Sequence, residues 1–303
     1  MRQRGPRACR RAFGKVGRTC TAAKRYGMAS DHEFDAVALA WQRWFPQMQA
    51  ATRPVSERMV ALAHIGPGAH VLDVGTGLGD PALLAAETVA PNGNVIGVDI
   101  SPAMLSLARK RAHKDGVSNV EFRQVEEDDE IPAGPYDAIL SRFGLMFVPD
   151  LDRALAQYRA QLRRHARLVA ATWATAPEVP QISTPMMVAA ELGFVPQSPA
   201  PPTGSPFSLS DGPELTRRLE GAGFVDAKVE PIDITFRVES PEAYYRHVAD
   251  VSPSVRELLA TLDEPSRAEL KEGVEQAAAT RYGRPDGTVA MTNRALITTA
   301  SNP

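Results

Sequence analysis

Residues 71–80 read VLDVGTGLGD. The first four are mostly branched and apolar, the composition of a parallel strand buried on both faces. Gly75, Gly77 and Gly79 then fall at alternate positions, where an ordinary strand does not put them, so the chain must turn sharply. Asp80 and Pro81 follow as a helix N-cap and a first helical residue, and ALLAAETVA continues as the helix. The glycines therefore lie between a strand end and a helix N-terminus, where a ligand can approach bare backbone.

Two phosphate-binding patterns fail here. The dinucleotide fingerprint G-x-G-x-x-G, counted from Gly75, demands glycine at position 80, where the chain has Asp80. A P-loop needs a Gly-Lys-Ser/Thr ending, and residues 71–100 contain no lysine. Asp73, just before the turn, suits a cation rather than an anion. After the helix, PNGN turns the chain and VIGVDIS returns as a second buried strand ending in Asp99, 24 positions beyond Gly75. An acid at the end of the second strand of a βαβ unit can accept hydrogen bonds from both hydroxyls of a ribose. Ser101 and Pro102 then open another helix. The pattern suits a nucleoside whose remaining part is cationic or zwitterionic, and S-adenosylmethionine fits that description.

VLDVGTGLGD, VIGVDISPAML, VEFRQVEEDDEIP, YDAILSRFGLMFVPDLDRAL and LRRHARLVAATW occur in this order over residues 68–175. In order and spacing they resemble the successive motifs of the class I S-adenosylmethionine-dependent methyltransferases, most closely the small-molecule branch that includes ubiquinone and menaquinone biosynthesis C-methyltransferases. The resemblance implies an α/β fold: a Rossmann-like, doubly wound sheet of seven strands with an antiparallel last strand, plus N-terminal helices and helical lid insertions. It also implies S-adenosylmethionine as cofactor. Asp73, Gly75, Thr76, Gly77 and Gly79 would back its methionine part, Asp99 with Ile100 and Met104 its ribose side, and Glu126 and Glu127 its adenine. Ser141, Arg142 and Phe143, closing the fourth strand, would face the donor, and Phe143 also the acceptor.

The chain departs from that family at two places. Where the family shows a Gly-Asp-Ala-Glu run after the third strand, VEEDDE supplies Val125, Glu126 and Glu127 with one extra residue before IP. Where the family has Pro-Gly-Gly before the fifth strand, this chain has Arg164, His165 and Ala166, none of which takes φ > 0 freely. A strained or remodelled turn is expected there.

The chain of 303 residues, 44% hydrophobic, can bury one large α/β core with an appended lid. No apolar run reaches the roughly 20 residues that cross a bilayer. Residues 1–27 hold nine Lys or Arg, no Asp or Glu, and both cysteines, Cys9 and Cys20. With those nine set aside, 25 basic residues face all 36 acidic ones, a formal charge of about −11, opposite in sign to a nucleic-acid footprint. Because Met28 precedes ASDHEFDAVALAW, residues 1–30 are expected to be a basic, disordered leader or a misassigned upstream start. Without cysteine from residue 21 onward, disulfides and Cys-based metal sites are excluded from the body. No His/Asp/Glu spacing suggests a metal, no G-x-S-x-G elbow appears, and a cytoplasmic setting is expected.

Residues 31–67 are expected to be a helical cap. Phe34, Val37, Trp41, Trp44, Phe45 and Met48 recur at spacings of three and four, an aromatic face that packs the cap on the domain. Trp41 or Trp44 would also roof the donor, where an aromatic face gains from cation–π attraction. Residues 176–303 are expected to complete the sheet with helical insertions that bind the acceptor. PQSPAPPTGSPF reads as an exposed loop, PELTRRLEGAGF as a helix, AKVEPIDITFRV as a strand, residues 241–281 as helices and RALITTA as the last strand. Met186, Met187, Tyr244 and Tyr245 would roof an apolar, adaptable pocket. Tyr244, His247 and Asp250 are the general-base candidates, of which Tyr244 and His247 share a helical face; His32, His113 and His165 read as surface or turn residues.

The expected function is methyl transfer from S-adenosylmethionine to a small, hydrophobic or aromatic acceptor, at an oxygen, nitrogen or carbon left open. A protein that binds the donor without transferring methyl is the alternative. A nucleic-acid or protein methyltransferase is disfavoured, because SRFG closes the fourth strand where amino-methylating enzymes of that kind show an Asn-Pro-Pro-aromatic run. The oligomeric state is left open, a homodimer included.

Overall fold

The aromatic periodicity of the cap folds as one continuous helix, α1 (Asp31–Ala63), rather than the several helices expected, with Pro46 and Pro54 inside it. The computed structural model describes residues 31–126, 131–196 and 204–303. The basic segment 1–30 with its two cysteines, Glu127 and most of the Pro-rich segment lie outside the described residues, as do the side chains of His32 and Phe34. Internal prolines each remove a helical hydrogen bond. Burial of one long face compensates: Val37 and Ala38 near the start, then Trp44, Ala51, Val55, Met59, Val60 and Ala63.

Strand and helix then alternate: β1 (His70–Val74), α2 (Ala82–Val89), β2 (Asn94–Asp99), α3 (Pro102–Lys114), β3 (Val120–Gln124), β4 (Tyr136–Arg142), α4 (Leu151–Gln161), β5 (Leu162–Trp173). The second half holds α5 (Pro180–Glu191), α6 (Gly212–Gly221), β6 (Val225–Val238), α7 (Pro241–Val251), α8 (Pro253–Thr261), α9 (Glu264–Tyr282) and β7 (Val289–Ser301). The seven strands form one sheet in the order β3-β2-β1-β4-β5-β7-β6. The first five run parallel, and β7 is antiparallel to both β5 and β6, as the family pattern implied. Strand order reverses between β1 and β4, and the crevice at such a switch point is where open α/β sheets bind ligands.

Two local expectations meet the structure differently. The helix after the glycine loop begins one residue later than expected: Pro81 is the cap position without a side-chain cap, and α2 starts at Ala82. Asp80 does not cap it, because its Oδ2 is drawn 3.1 Å from an Arg111 nitrogen in a partly buried ion pair. The turn expected before the fifth strand is remodelled into the first residues of β5, and the strain expected there lies inside the strand. His165 sits at φ 63°, its N–H donates to the Asn302 carbonyl (2.8 Å), and the β4–β5 register slips between Tyr136 and Ala138.

Apolar side chains gather in three clusters. The main core lies on both faces of the sheet, with Leu72, Val98, Leu105, Ile139, Leu168 and Ile297 among its members. A second cluster joins Trp44 and Ala51 to α5, α7, α9 and the ends of β6 and β7. A small third one sets Val37 and Ala38 against Leu78 of the glycine loop and Met104 and Leu107 of α3. Trp41 packs against both the second and the third, so α1 bridges the glycine loop and the helical insertions.

Candidate functional site

The C-terminal ends of β1 and β4 bring together several polar groups that the protein leaves unpaired. Asp73 is fully buried, and neither of its carboxylate oxygens has a hydrogen-bond partner. The buried hydroxyls of Thr76 and Ser141 are likewise unpartnered. Each unsatisfied buried group costs about 1–3 kcal/mol, so such a convergence is retained where a ligand completes it. Desolvation pushes the Asp73 pKa up to about 7, against the pull of the neighbouring Thr76 hydroxyl and the Arg142 charge. A ligand cation here would return that carboxyl to its ionised form.

The glycines leave backbone exposed to the same spot. Gly75 and Gly77 have φ of 70° and 54°, the left-handed region glycine tolerates. A Cβ on Gly75 would lie 3.1 Å from the Gly144 Cα, which explains how closely the β1 and β4 loops approach. A Cβ on Gly77 would meet nothing within 4 Å, so that position opens outward. Asp99 closes the loop: its Oδ2 accepts the Gly77 N–H (2.8 Å) and its Oδ1 the Ser101 N–H (3.0 Å). Burial raises the Asp99 pKa, these N–H groups oppose the rise, and the Asp35 carboxylate adds to it. An unpaired acid before the turn, open backbone and a second acid at the end of β2 fit the amino group, methionine chain and ribose of S-adenosylmethionine.

The remaining donor candidates divide. Ile100 is half-buried after β2, Met104 is buried against α1, and Glu126 is exposed beyond β3. Arg142 turns its guanidinium towards α1, donating to Thr52 Oγ1 (2.6 Å) and Ser56 Oγ (3.1 Å), while its Nε is buried without a partner. Desolvation lowers its pKa, opposed by Asp80 and Asp73. Phe143 takes φ 60°, rare for an aromatic residue, and stacks on Trp173 with centroids 4.0 Å apart.

Sequence reading missed two residues that tie the cap to this loop. Asp35 of α1 accepts from Ser101 Oγ (2.5 Å) and from the Ala103 N–H (3.2 Å), capping α3 from another helix. Arg111 holds the Leu78 carbonyl and Asp80, and its guanidinium lies 3.9 Å from the Phe45 ring centroid. The N-cap pattern at Ser101 predicted a cap but not a second carboxylate from a distant helix.

The acceptor and catalytic candidates pack in the second cluster. Trp41 Nε1 donates to the Val251 carbonyl (3.2 Å), and Trp44 Nε1 to Asp250 (2.9 Å). Tyr244 is fully buried and its hydroxyl donates to the Gln181 carbonyl (2.9 Å); burial holds its pKa far above the usual phenol range. His247 is 1% exposed between Trp44 and Phe236, and desolvation pulls its pKa down to about 3. Met186 and Tyr245 are half-buried at the cluster's edge, and Met187 is exposed. Among the described residues no three His, Cys, Asp or Glu side chains are placed to hold a metal, and no helix is long and apolar enough to cross a membrane.

Comparison with known proteins agrees with this geometry. Residues 65–197 match the family described as Methyltransferase domain. The chain is 31% identical over 213 residues to nocamycin O-methyltransferase of Saccharothrix syringae, covering 63% of this chain and 71% of that one. It is 34% identical over 145 residues to a ubiquinone/menaquinone biosynthesis C-methyltransferase of Xanthomonas axonopodis, covering 47% and 52% of the two. Its fold matches a putative methyltransferase structure from Bacillus halodurans with a TM-score of 0.53 at 15% identity, covering 82% and 98%. With its relatives, its sheet order and its completed glycine loop in agreement, the chain belongs to the S-adenosylmethionine-dependent methyltransferases.

Proposed function

We propose that the protein methylates a small apolar or aromatic acceptor held between α1 and the helices of the second half. The observation that carries this reading is the aromatic face of α1, whose Trp41 packs both on the cluster around Leu78 and Met104 and on the cluster around Tyr244 and His247. One aromatic layer therefore borders the donor loop and the insertions together. Bound S-adenosylmethionine supplies an electrophilic methyl on a sulfonium, so the chain's own residues need to align the acceptor, exclude water and manage its proton. Asp73 and Asp99 hold the donor in this reading, with Glu126 at its outer end. Phe143, Met186, Met187 and Tyr245 line the acceptor side. Two relatives' names, an O-methyltransferase and a quinone-pathway C-methyltransferase, point to small acceptors.

The role of His247 and Tyr244 takes a narrower form than a general base. The Tyr244 hydroxyl is committed to the Gln181 carbonyl. His247, neutral down to about pH 3, can make a hydrogen bond but holds a proton weakly. Residues 31–67 serve as cap, 68–175 as donor-binding core and 176–303 as acceptor-binding half. The negative body charge favours metabolites over nucleic acid as acceptors, and a cytoplasmic setting remains part of this reading.

The test is incubation with methyl-labelled donor and acceptors of graded polarity, from naphthols and hydroquinones to small charged acids and amines, followed by mass analysis of labelled product. Efficient labelling of the aromatic compounds is expected. Labelling of the charged set alone overturns the acceptor class, and donor binding without product from any acceptor overturns methyl transfer itself.

A further inference from the structure

Beside the second apolar cluster lies a pair of amides, Asn293 buried and Gln181 half-buried, whose hydrogen bonds orient one another. Asn293 of β7 is fully buried, and its Oδ1 accepts the backbone N–H of Gln181 (2.9 Å). Its Nδ2 must then be the donor, to the Met291 carbonyl (3.0 Å) and to Gln181 Oε1 (3.3 Å). Gln181 Oε1 is thereby an acceptor, so its Nε2 carries hydrogens where it meets His247 Nε2 at 3.4 Å. His247 Nε2 consequently presents a lone pair. The ring is neutral in this apolar setting, so its single hydrogen sits on Nδ1.

That Nδ1 is buried and has no partner in the protein. The ring is fixed by Trp44, edge-on at 5.1 Å between centroids, and by Phe236 at 4.5 Å. The carboxylate of Asp250, one turn further along α7, makes no hydrogen bond to it; its Oδ2 accepts from Trp44 Nε1 (2.9 Å) and Arg43 (3.0 Å). The Thr184 hydroxyl, one turn beyond Gln181 on α5, is also buried and unpartnered. A network that aims an N–H into apolar surroundings and leaves it unmatched is built for an oxygen that arrives with a ligand.

We propose that His247 Nδ1–H donates a hydrogen bond to an oxygen of the methyl acceptor, with Gln181 and Asn293 as positioning residues that set its tautomer. This inference rests on the reading of the second cluster as the acceptor side. It narrows the acceptor class to oxygenated rings, namely aromatic ketones with an enolisable carbon, hydroquinones and phenols, over plain hydrocarbons. The hydrogen bond lowers the pKa of the acceptor's hydroxyl or α-carbon, so its proton passes to water and the resulting anion is the nucleophile, at oxygen or at the conjugated carbon.

The experiment uses protein labelled with nitrogen-15 histidine, with His247→Asn to locate the ring signals, and the matched probes 1-tetralone and tetralin. The native ring is expected to show a protonated Nδ1 and an unprotonated Nε2, and 1-tetralone, not tetralin, shifts Nδ1. Gln181→Leu is expected to move the hydrogen towards Nε2 and to weaken 1-tetralone binding about tenfold while tetralin binding holds. An Nε2–H tautomer in the native protein, an Nδ1 signal unmoved by saturating 1-tetralone, no binding of 1-tetralone, or equal losses for both probes in Gln181→Leu would each overturn the proposal. The labelled-methyl assay separates the two readings: if 1-tetralone shifts Nδ1 while no acceptor is methylated, the hydrogen-bonding site stands and the catalytic reading falls.

Discussion

Replacing Asp73 with asparagine should strengthen the empty protein and weaken its hold on the donor, two effects of opposite sign from one buried carboxyl. Asp73 is fully buried with both oxygens unpaired, and burial raises its pKa from 3.8 to about 7. The native state therefore binds this proton more tightly than the unfolded chain, so its contribution to stability falls as pH rises from about 4 to about 7 and is flat beyond both limits. Three pKa units correspond to about 4 kcal/mol, an upper bound. Asparagine is neutral and nearly the same shape, but it forgoes the attraction of Arg142, so we expect a net gain of about 1–3 kcal/mol at pH 8. For a domain of this size that is a rise of roughly 2–10 °C in Tm. In the donor complex the sign reverses, since a charge-assisted hydrogen bond to a ligand ammonium contributes about 1.5–3 kcal/mol, and its loss weakens binding by roughly ten- to a hundredfold. Thermal unfolding followed by circular dichroism at pH 5 and pH 8, with calorimetric titration of S-adenosylmethionine, measures both. A variant that melts lower at pH 8, keeps the native pH slope, or binds the donor normally would refute the placement of a strained, ligand-ready carboxylate at the end of β1.

Two further substitutions probe the loop. Asp99→Ala removes the acceptor of the Gly77 and Ser101 N–H groups together with the expected ribose contacts, so donor affinity should fall tenfold or more by calorimetry, and an unchanged Kd would remove Asp99 from the site. Gly77→Val adds a side chain at φ 54° on the open side of the loop; donor binding should be lost while circular dichroism still reports a folded sheet, and native affinity would place the donor elsewhere.

Much of the donor half was legible from local pattern. The strand-glycine-helix junction at residues 71–80 and the acid closing β2 follow from short-range chemistry, since buried strands read as apolar runs and sharp turns as glycine, whereas the antiparallel last strand was implied by the family resemblance. The absence of the family's Pro-Gly-Gly correctly marked strain at residues 164–166, where His165, inside β5, adopts a left-handed φ. Local pattern failed where a distant charge competed. Asp80 looks like an N-cap, but Arg111 takes its carboxylate. The resemblance implied several N-terminal helices, yet α1 runs unbroken through Pro46 and Pro54 because burial along its length outweighs two lost hydrogen bonds.

The sequence alone determined the class of sheet, the place of the glycine loop and the two acids that frame it, since each depends on residues within a few positions of one another. Tertiary structure decided what surrounds them. Asp35 caps a helix 66 positions away, Trp44 reaches Asp250 across 206, and Gln181 orders Asn293 across 112. No periodicity encodes such pairs. They exist because α1 packs against both the sheet and the second half, and burial in that interface leaves His247 Nδ1 without a partner in the protein.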